Sequence, residues 1–337
     1  MLVTGGAGFI GSHVVDQLIE LGAHVTIVDN LDKDSVQNIL EVWSKHNLDV
    51  TEKNGEHVRA GDHTFLKCDL EDRGQARHVM RGHEIVIHLA ATVGGRGYID
   101  THPADCCHNL ALDHNVFDAA LRAEVDRVHY ASTACVYPVS LQAEYDSGYL
   151  LSEEDAFRNG WANCDREYGW AKFIGEQELL AYHKQYDING SICRYVTAYG
   201  PRENDTHAII ALIRKAVERQ DPYIVWGTGE QDRDFTYVSD IVEGTLLATE
   251  KITDGTAVNL GTSKRYKMKD VAKMVLEVSG HKPNHISFDT SKPEGVRTRA
   301  LDITRAKRLL GWEPRVDLKE GLRLTYCLLY TSDAADE

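Results

Sequence analysis

Residues 3–13 read Val-Thr-Gly-Gly-Ala-Gly-Phe-Ile-Gly-Ser-His and place Gly5, Gly8 and Gly11 on a Gly-x-x-Gly-x-x-Gly frame. The frame follows an apolar start and precedes a helical pattern, which is typical of a strand–turn–helix unit that holds a pyrophosphate. One glycine permits the tight turn, one lets backbone approach the phosphates, and one lets the helix pack against the strand. An anion is favoured there because free N–H groups and the helix dipole point towards it.

The residues after this frame extend the pattern. Apolar residues recur at helical spacing over 14–21, Gly22 ends the helix, and an apolar strand follows over 24–28. Asp29 ends this strand roughly 20 residues beyond the glycines, where an acid binds the ribose hydroxyls of NAD and repels the extra phosphate of NADP. The sequence therefore predicts NAD as the cofactor.

Length, composition and charge exclude several classes of protein. The 337 residues suit one large or two ordinary domains, and the 42% hydrophobic share excludes general disorder. With 37 basic and 52 acidic residues the net charge is −15, which opposes general binding to nucleic acid or to anionic membranes. No apolar run approaches the roughly 20 residues of a membrane span, and the first strand begins beside Met1. We therefore expect no membrane association, no signal peptide and a cytoplasmic location.

The cysteines and histidines do not form a metal-binding pattern. Seven cysteines are scattered along the chain, which favours reduced thiols over a disulfide framework. Cys106, Cys107 and His108 are adjacent, but neighbouring residues on a helix point in different directions, whereas zinc ligands are usually about two to four residues apart. We predict no metal.

Strand and helix patterns alternate through the first two thirds of the chain, which predicts a parallel, doubly wound sheet. The expected strands cover residues 64–68, 84–89 and 127–132, and the expected helices cover 39–43, 72–81 and 109–123. Residues 32–62 are polar and are expected to form a surface excursion. The predicted fold class is α/β, a Rossmann doubly wound parallel sheet with a smaller C-terminal α/β substrate-binding domain.

The alternation weakens after Tyr199, where a second domain is expected to begin. We assign residues 1–198 to an NAD-binding Rossmann domain, to which about 234–250 return. Residues 199–233 and 251–326 are assigned to the substrate-binding domain, which would cap the C-terminal strand ends. Residues 327–337 are similar to the translated read-through of a sequencing-library adapter, and we interpret them as a non-native tail rather than an ordinary polar one.

Tyr168 and Lys172 form a Tyr-x-x-x-Lys pair whose spacing places both side chains on one helix face. A nearby ammonium and a positive nicotinamide ring favour the phenolate of a tyrosine, whose ordinary pKa is about 10. Tyr168 would then take the proton of a substrate alcohol while NAD takes the hydride, with Thr133 hydrogen-bonding the same oxygen. The pair therefore predicts hydride-transfer chemistry.

Together these motifs resemble the extended short-chain dehydrogenase/reductase family of nucleotide-sugar epimerases and dehydratases over nearly the whole chain. The matching segments are 4–11, 29, 68–70, 88–91, 132–138, 168–172, 194–201, 227–235 and 293–312. The resemblance implies an enzyme with NAD as cofactor and a nucleotide-diphosphate sugar as substrate. It also implies a homodimer that pairs through the helices over 109–123 and 168–185.

The resemblance assigns roles to individual residues. Asp69 would meet the adenine, and Arg233 and Arg297 would bind the substrate diphosphate through charge-assisted hydrogen bonds. The predicted cofactor-binding residues are Gly5, Gly8, Phe9, Ile10, Gly11, Asp29, Asn30, Asp69, Leu70, Leu89, Ala90, Ala91, Tyr168 and Lys172. The predicted substrate-binding residues are Gly94, Gly95, Arg96, Thr197, His207, Arg233 and Arg297.

The residues after Thr133 bear on the reaction. Dehydratases and decarboxylases of this family carry an acid there, whereas this chain has Ala134-Cys135, so water elimination is not expected. Cys135, with segments 94–99 and 293–297, is similar to the GDP-mannose 3,5-epimerases, in which the matching cysteine exchanges protons beside a transient ketone. The predicted catalytic residues are Thr133, Cys135, Tyr168 and Lys172.

Two other functions stay open. The lysine that 3,5-epimerases carry after Gly200-Pro201 is absent, with His207 as a candidate substitute, and Thr197 replaces an asparagine usual in the family. Cys135 is equally consistent with a small packing residue. The chain would then be a UDP-hexose 4-epimerase, acting on UDP-glucose/galactose or UDP-glucuronate, which needs only oxidation, rotation of the 4-keto sugar and re-reduction. A non-catalytic NAD-binding protein is the alternative from a different class.

Overall fold

The computed structural model describes residues 1–32, 35–53, 56–158 and 163–333, with side chains described as far as Cys327. The strands are Leu2–Thr4 (β1), Thr26–Asp29 (β2), Val50–Lys53 (β3), His57–Ala60 (β4), His63–Lys67 (β5), Ile85–His88 (β6), Arg127–Thr133 (β7), Asn189–Tyr195 (β8), Ala198–Tyr199 (β9), Tyr223–Trp226 (β10), Asp232–Arg233 (β11), Thr236–Tyr237 (β12), Asp254–Leu260 (β13), Tyr266–Lys267 (β14) and Ile286–Asp289 (β15). The α-helices are Phe9–Glu20 (α1), Gln37–Lys45 (α2), Arg73–Val79 (α3), Arg96–Thr101 (α4), Pro103–Cys106 (α5), His108–Arg122 (α6), Arg166–Tyr186 (α7), Ala208–Val217 (α8), Val238–Lys251 (α9), Met268–Ser279 (α10), Thr304–Leu310 (α11) and Leu318–Asp333 (α12).

Nine of the described strands form one central sheet in the order β13-β8-β7-β6-β1-β2-β5-β4-β3. Neighbouring strands from β13 to β5 are parallel. The strand order reverses at β1, which lies between β2 and β6, and a crevice forms at such a switch point in α/β folds. The predicted doubly wound parallel sheet is confirmed.

Both faces of this sheet are covered, which explains the near-continuous apolar runs in its central strands. Successive side chains of β1 point to opposite faces: Leu2 packs in the core layer that contains Phe117 of α6, and Val3 packs in the layer that contains Val14 of α1. Because the helices fix the two faces, the carboxyl ends of the strands are held at one edge, where the crevice opens.

The polar stretch over 32–62 contains more structure than predicted. Besides α2, it contributes β3 and β4, which pair antiparallel with each other, and β4 also pairs antiparallel with β5. All four residues of β3 are exposed, whereas β4 buries Val58 and Ala60. A solvated edge strand carries no apolar alternation, so its sequence gives no strand signal.

Within the described ranges, three two-stranded sheets supplement the central one: β10 with β15, β11 with β14, and β9 with β12. Residues 254–260, which the sequence analysis assigns to the second domain, form β13 and pair with β8 at the edge of the central sheet. The reason is that α9 packs against β8 and returns the chain to the sheet. The division into two domains remains a prediction.

No described helix is long and apolar enough to cross a membrane. Among the described residues there is also no group of three or more His, Cys, Asp or Glu side chains placed to hold a metal ion. Helix α12 continues through the first part of the predicted non-native tail, and residues 334–337 of that tail lie outside the described residues.

Candidate active site

The glycine frame forms a tight cradle between β1 and α1. Gly5 has a φ of 63°, and a Cβ on it would lie 2.7 Å from the amide nitrogen of Ala90. A Cβ on Gly11 would overlap the carbonyl oxygen of Gly5, and Gly8 caps the N-terminus of α1. Any larger side chain would fill this cradle, so its residues fit a pyrophosphate that approaches the backbone.

Asp29, at the end of β2, is tied to the same turn. Its carboxylate accepts hydrogen bonds from the backbone N–H of Ala7 at 3.1 Å and of Leu31 at 2.9 Å. Burial raises the pKa of Asp29, and these backbone donors oppose the rise. The acid that the sequence assigns to the ribose thus lies beside the cradle, and Asn30 follows it on the surface.

The other predicted cofactor-binding residues gather at this edge of the sheet. Phe9 and Ile10 are half-buried in the first turn of α1, and exposed Asp69 and buried Leu70 follow β5. Half-buried residues 89–91 follow β6, the other neighbour of β1. Four adjacent strands therefore deliver their ends to one crevice, and the residues present fit a dinucleotide.

Tyr168 and Lys172 lie one turn apart on α7. Tyr168 packs with Ile99, Cys106 and Cys135, and burial raises its pKa. Lys172 is buried, with Nζ 3.7 Å from Oδ2 of Asp113. Burial lowers the pKa of Lys172, and the carboxylate of Asp113 opposes the drop. The ammonium of Lys172 favours the phenolate of Tyr168, whereas the burial of both side chains opposes their charged forms.

Thr133 and Cys135 face this helix from the end of β7. The backbone N–H of Cys135 donates to Oγ1 of Thr133 at 3.2 Å, which starts a 3₁₀ turn over Ala134–Val136. The N–H of Asp165 donates to the carbonyl oxygen of Cys135 at 2.8 Å, and Gly169 packs so closely on that oxygen that a Cβ would overlap it. Small size at residue 169 thus lets α7 bring Tyr168 against this turn.

The thiol of Cys135 meets a guanidinium that the sequence analysis did not single out. Nη1 of Arg299 lies 3.3 Å from Sγ of Cys135, and Nη2 donates to Asp165 at 2.6 Å. Nε of Arg299 donates to the side-chain oxygen of Gln142 at 2.6 Å. Since Arg299 is fixed on three sides, it presents a permanent positive charge to the sulfur.

Arg297, two residues earlier, points elsewhere. It is exposed, donates to the carbonyl oxygen of Ala143 at 3.1 Å, and lies 5.0 Å from the ring centre of Tyr145. Both arginines belong to one Arg-Thr-Arg motif, so nothing in the spacing distinguishes the side chain that reaches the thiol.

Arg96 and Arg233, two of the three arginines predicted for the substrate, lie near Asp165 and Gly295. Arg96 donates to Asp165 at 2.8 Å, and burial and the neighbouring arginine charges lower the pKa of Arg233 to about 10. A Cβ on Gly295 would lie 3.1 Å from Cδ of Arg96 and 3.2 Å from Nη2 of Arg233. Burial alone would raise the pKa of Asp165, but Arg299 and Arg96 lower it to about 2. Guanidinium groups suit a diphosphate, because they form charge-assisted hydrogen bonds with phosphate oxygens.

His207 begins α8 beside the predicted Gly94-Gly95 segment. A Cβ on Gly95 would lie 3.3 Å from Cδ2 of the imidazole. Nδ1 of His207 lies 2.8 Å from Oε1 of buried Glu203, whose Oε2 has no hydrogen-bond partner among the described residues. Burial alone would lower the pKa of His207, but Glu203 outweighs it and the pKa is raised. Thr197, by contrast, is exposed and has a φ of 20°.

The structure thus brings most of the predicted residues together at this edge of the sheet, whereas Arg297 and Thr197 are exposed. It adds Arg299, Asp165, Asp113 and Glu203, each a charged partner of a predicted residue. Arg299, Asp165 and Asp113 meet their partners across distant segments of the chain, which no period or motif in the sequence marks. Glu203 lies only four residues before His207, so its spacing could have suggested that pair. The charges in this crevice support acid–base work next to an anion site.

Comparison with known proteins gives a consistent result. The profile of the family described as "NAD dependent epimerase/dehydratase family" matches residues 1–261. The chain is 33% identical to the GDP-mannose 3,5-epimerase of Arabidopsis thaliana over 330 residues, which cover 96% of this chain and 80% of that protein. It is 32% identical to the putative UDP-glucose 4-epimerase of Methanocaldococcus jannaschii over 327 residues, 96% of each chain.

Among solved structures, the UDP-glucuronic acid 4-epimerase of Bacillus cereus, determined with UDP-glucuronic acid and NAD, superposes with a TM-score of 0.81. It is 28% identical and covers 99% of both chains. The family and the NAD cofactor predicted from the sequence are confirmed. The chain belongs to the NAD-dependent epimerase/dehydratase family.

Proposed function

We propose that this enzyme is a nucleotide-sugar epimerase that acts through a transient 4-keto sugar and inverts carbons next to the ketone, as a GDP-mannose 3,5-epimerase does. The observation that carries the proposal is the hydrogen bond from Arg299 to the thiol of Cys135, 3.3 Å long, beside Tyr168. A packing cysteine needs no guanidinium. A cysteine that removes a carbon-bound proton does, because a fixed cation stabilises the thiolate.

The glycine cradle and Asp29 would hold the cofactor, which supplies a hydride acceptor and donor when it is bound. Tyr168 would take the proton from the C4 hydroxyl as the ketone forms and would return it when C4 is reduced again. Thr133 would donate a hydrogen bond to the same oxygen, because its Oγ1 already accepts from Cys135 and its own proton is available.

The ketone at C4 acidifies the hydrogens on C3 and C5. Cys135, as a thiolate, would remove one of these protons and leave an enolate, whose negative charge is delocalised onto the C4 oxygen. A second group must then protonate the other face of the carbon for the configuration to change. After one inversion Cys135 holds the proton that it removed, and the second group has lost the proton that it donated. Cys135 then releases its proton to water and the second group takes one up from water, so the number of protons balances over the cycle.

His207 is our candidate for that second group. Its side chain is 36% exposed while that of its partner Glu203 is 2% exposed, and the carboxylate orients the ring. A hydrogen bond to the backbone of Gly94 also favours the protonated imidazole. A carboxylate that orients an imidazole also strengthens its hold on a proton. The dyad lies beside Gly95, in the segment predicted to contact the sugar.

Arg96 and Arg233 would bind the substrate diphosphate. Arg96 pairs with Asp165 and Asp100, and Arg233 is buried near the charges of Asp165, Asp232 and the neighbouring arginines. Burial and, after it, the neighbouring arginine charges lower the pKa of Arg233, and an added dianionic group would offset that repulsion.

A UDP-hexose 4-epimerase is the second candidate. Thr133, Tyr168 and Lys172 suffice for oxidation and re-reduction at C4, and the archaeal and Bacillus cereus relatives above bear that activity in their names. In this case Cys135 and His207 would have no role in proton transfer.

The two candidates are separated by the products they form. The purified enzyme is incubated in parallel with GDP-mannose, UDP-glucose and UDP-glucuronate, and the recovered sugars are identified by NMR. We expect inversion at C3 or C5 of GDP-mannose. A product inverted only at C4 would support the second candidate, and the absence of any product from the whole panel would contradict both.

A further inference from the structure

A chain of buried polar side chains lies beneath Lys172 and leads back to the glycine cradle. Oγ1 of Thr4, at the end of β1, lies 2.7 Å from Nδ1 of His88, and Nε2 of His88 lies 3.0 Å from Oδ1 of Asp113. The other oxygen of Asp113 accepts a hydrogen bond from the hydroxyl of Tyr130 and lies 3.7 Å from Nζ of Lys172. None of the other four side chains was predicted to act together with Lys172.

The donors and acceptors along this chain fix its direction. Oγ1 of Thr4 accepts the backbone N–H of Leu89 and of Ala90, both at 3.2 Å, so its own proton is donated to Nδ1 of His88. His88 is then neutral and donates its Nε2–H to Asp113. Burial lowers the pKa of His88, which agrees with a neutral ring. Asp113 therefore accepts from both neighbours and is left as the negative charge that faces Lys172.

The pair is enclosed and has little freedom to move. The side chains of Lys172 and Asp113 are 2% and 1% exposed. Gly175 lies so close that a Cβ would come within 2.7 Å of Oδ2 of Asp113, and Nζ of Lys172 lies 4.0 Å from the ring centre of Tyr130. A lone ammonium in such a place loses its proton, whereas a paired one keeps it.

We propose that Asp113 is a positioning residue that keeps Lys172 protonated and in place beneath Tyr168 and connects it to the first turn of the cofactor cradle. The inference rests on the roles of Tyr168 and Lys172 under the proposed function, but it holds for any reaction that uses them. Asp113 itself does not meet the substrate. It acts by setting the charge next to the residues that do.

The expected sign of the effect follows from the charge that Asp113 carries. The titratable or charged groups that face the pair from the packed elements are His88 on β6, Tyr130 on β7, and Tyr168, Glu176 and Glu178 on α7. Removal of one negative charge lowers the proton affinity of Tyr168 and Lys172 as a coupled pair. Asp113→Asn keeps the size of the side chain and removes the charge. Both limbs of the pH–rate profile should therefore move to lower pH, by about one pH unit or more.

Tyr130→Phe tests the same idea with a milder change and the opposite sign. It keeps the carboxylate and the ring against Lys172 but removes the hydroxyl that partly neutralises Asp113. Both limbs should move to higher pH.

Asp118→Asn, on the same helix as Asp113, is the matched control, because Asp118 pairs with Arg73, Arg77 and Arg122 instead. Its profile should coincide with that of the unaltered enzyme.

A second readout requires no substrate. The phenolate absorbance of Tyr168 is obtained as a function of pH from the enzyme as purified, after subtraction of the Tyr168→Phe spectrum. In Asp113→Asn the phenolate should appear at lower pH. The inference is overturned if folded Asp113→Asn titrates as the unaltered protein does, or, should that variant not fold, if Tyr130→Phe leaves the titration unchanged or moves it downward. A shifted titration without epimerase activity would contradict the proposed function and leave this inference standing.

Discussion

At Cys135 a single neighbouring charge separates a reactive thiol from a packing residue. Arg299 is held by Asp165 and Gln142 with its remaining nitrogen directed at the sulfur. Arg299→Gln keeps a polar side chain of similar reach and removes the charge. Because the thiolate then loses its stabilising cation, we expect proton exchange at the sugar carbon to fall by about 10- to 100-fold.

The measurement is the rate of deuterium uptake into the sugar from D₂O under saturating substrate. Arg315→Gln serves as the matched control, since Arg315 pairs with Glu243 on the surface. Unchanged uptake in Arg299→Gln would mean that the guanidinium does not activate the thiol.

The dyad of His207 and Glu203 makes a prediction about pH. Burial alone would lower the pKa of His207, but Glu203 raises it, so the ring stays protonated to higher pH than a free imidazole does. Glu203→Gln removes the cause of the rise. The imidazole then loses its proton at lower pH and can no longer donate it. The alkaline limb of the inversion rate should therefore move to lower pH. A profile of rate against pH checks this, and an alkaline limb that stays in place would remove His207 from the mechanism.

Sequence patterns at this scale identify residues but not their partners. Tyr168 and Lys172 were predictable because a helix places i and i+4 on one face. Asp113 and Arg299 were not, because each meets its partner through tertiary packing of distant segments. The choice between Arg297 and Arg299 depends on the local path of an irregular segment, which no periodicity describes.

The tight turn between β1 and α1 requires glycine at residues 5 and 11, because a side chain there would not fit. A Cβ on Gly11 would overlap the carbonyl oxygen of Gly5 and open the turn. In Gly11→Ala we expect the affinity for NAD to fall by at least about tenfold, since backbone N–H groups no longer converge on the phosphates. Calorimetric titration with NAD measures the effect.

Gly97→Ala is the matched control for that change. A Cβ on Gly97 would meet only a ring carbon of Trp226 at 3.9 Å, which is an ordinary contact. Its NAD affinity should equal that of the unaltered enzyme. Retention of full NAD affinity by Gly11→Ala would contradict the assignment of the cradle.

Elements of the central sheet were predictable, and its edge was not. Strands buried on both faces are continuously apolar, so β2, β5, β6 and β7 were predicted within two residues. The exposed residues of β3 carry no such pattern. Residues 254–260 were assigned to the other domain because the sequence of a strand does not show which sheet the strand joins.

For the whole molecule, a buried ion pair joins α7 to the central sheet. Arg194 of β8 donates to both carboxylate oxygens of Glu176, at 2.9 and 2.7 Å, and both side chains are 2% exposed. Arg194→Met leaves Glu176 buried without its cation, which costs about 3–5 kcal/mol of unfolding free energy. Because α7 also carries Tyr168, activity should fall with it.

Urea unfolding followed by circular dichroism measures that loss. Arg323→Met is the control, since Arg323 pairs with Glu320 on the surface and such pairs contribute about 0–1 kcal/mol. Equal stabilities of the two variants would show that the buried pair does not hold the helix.

The homodimer expected through α6 and α7 stays a prediction, as does the cytoplasmic location.

The central claim is that Cys135 exchanges a proton on a carbon next to a transient ketone. The most direct test compares the unaltered enzyme with Cys135→Ala, each incubated with GDP-mannose in D₂O, and locates deuterium on the recovered sugar by NMR. We predict deuterium at C3 or C5 with the unaltered enzyme and a loss of about 100-fold or more of that exchange in Cys135→Ala. Inversion at C4 without deuterium, or equal exchange by both proteins, would contradict the claim.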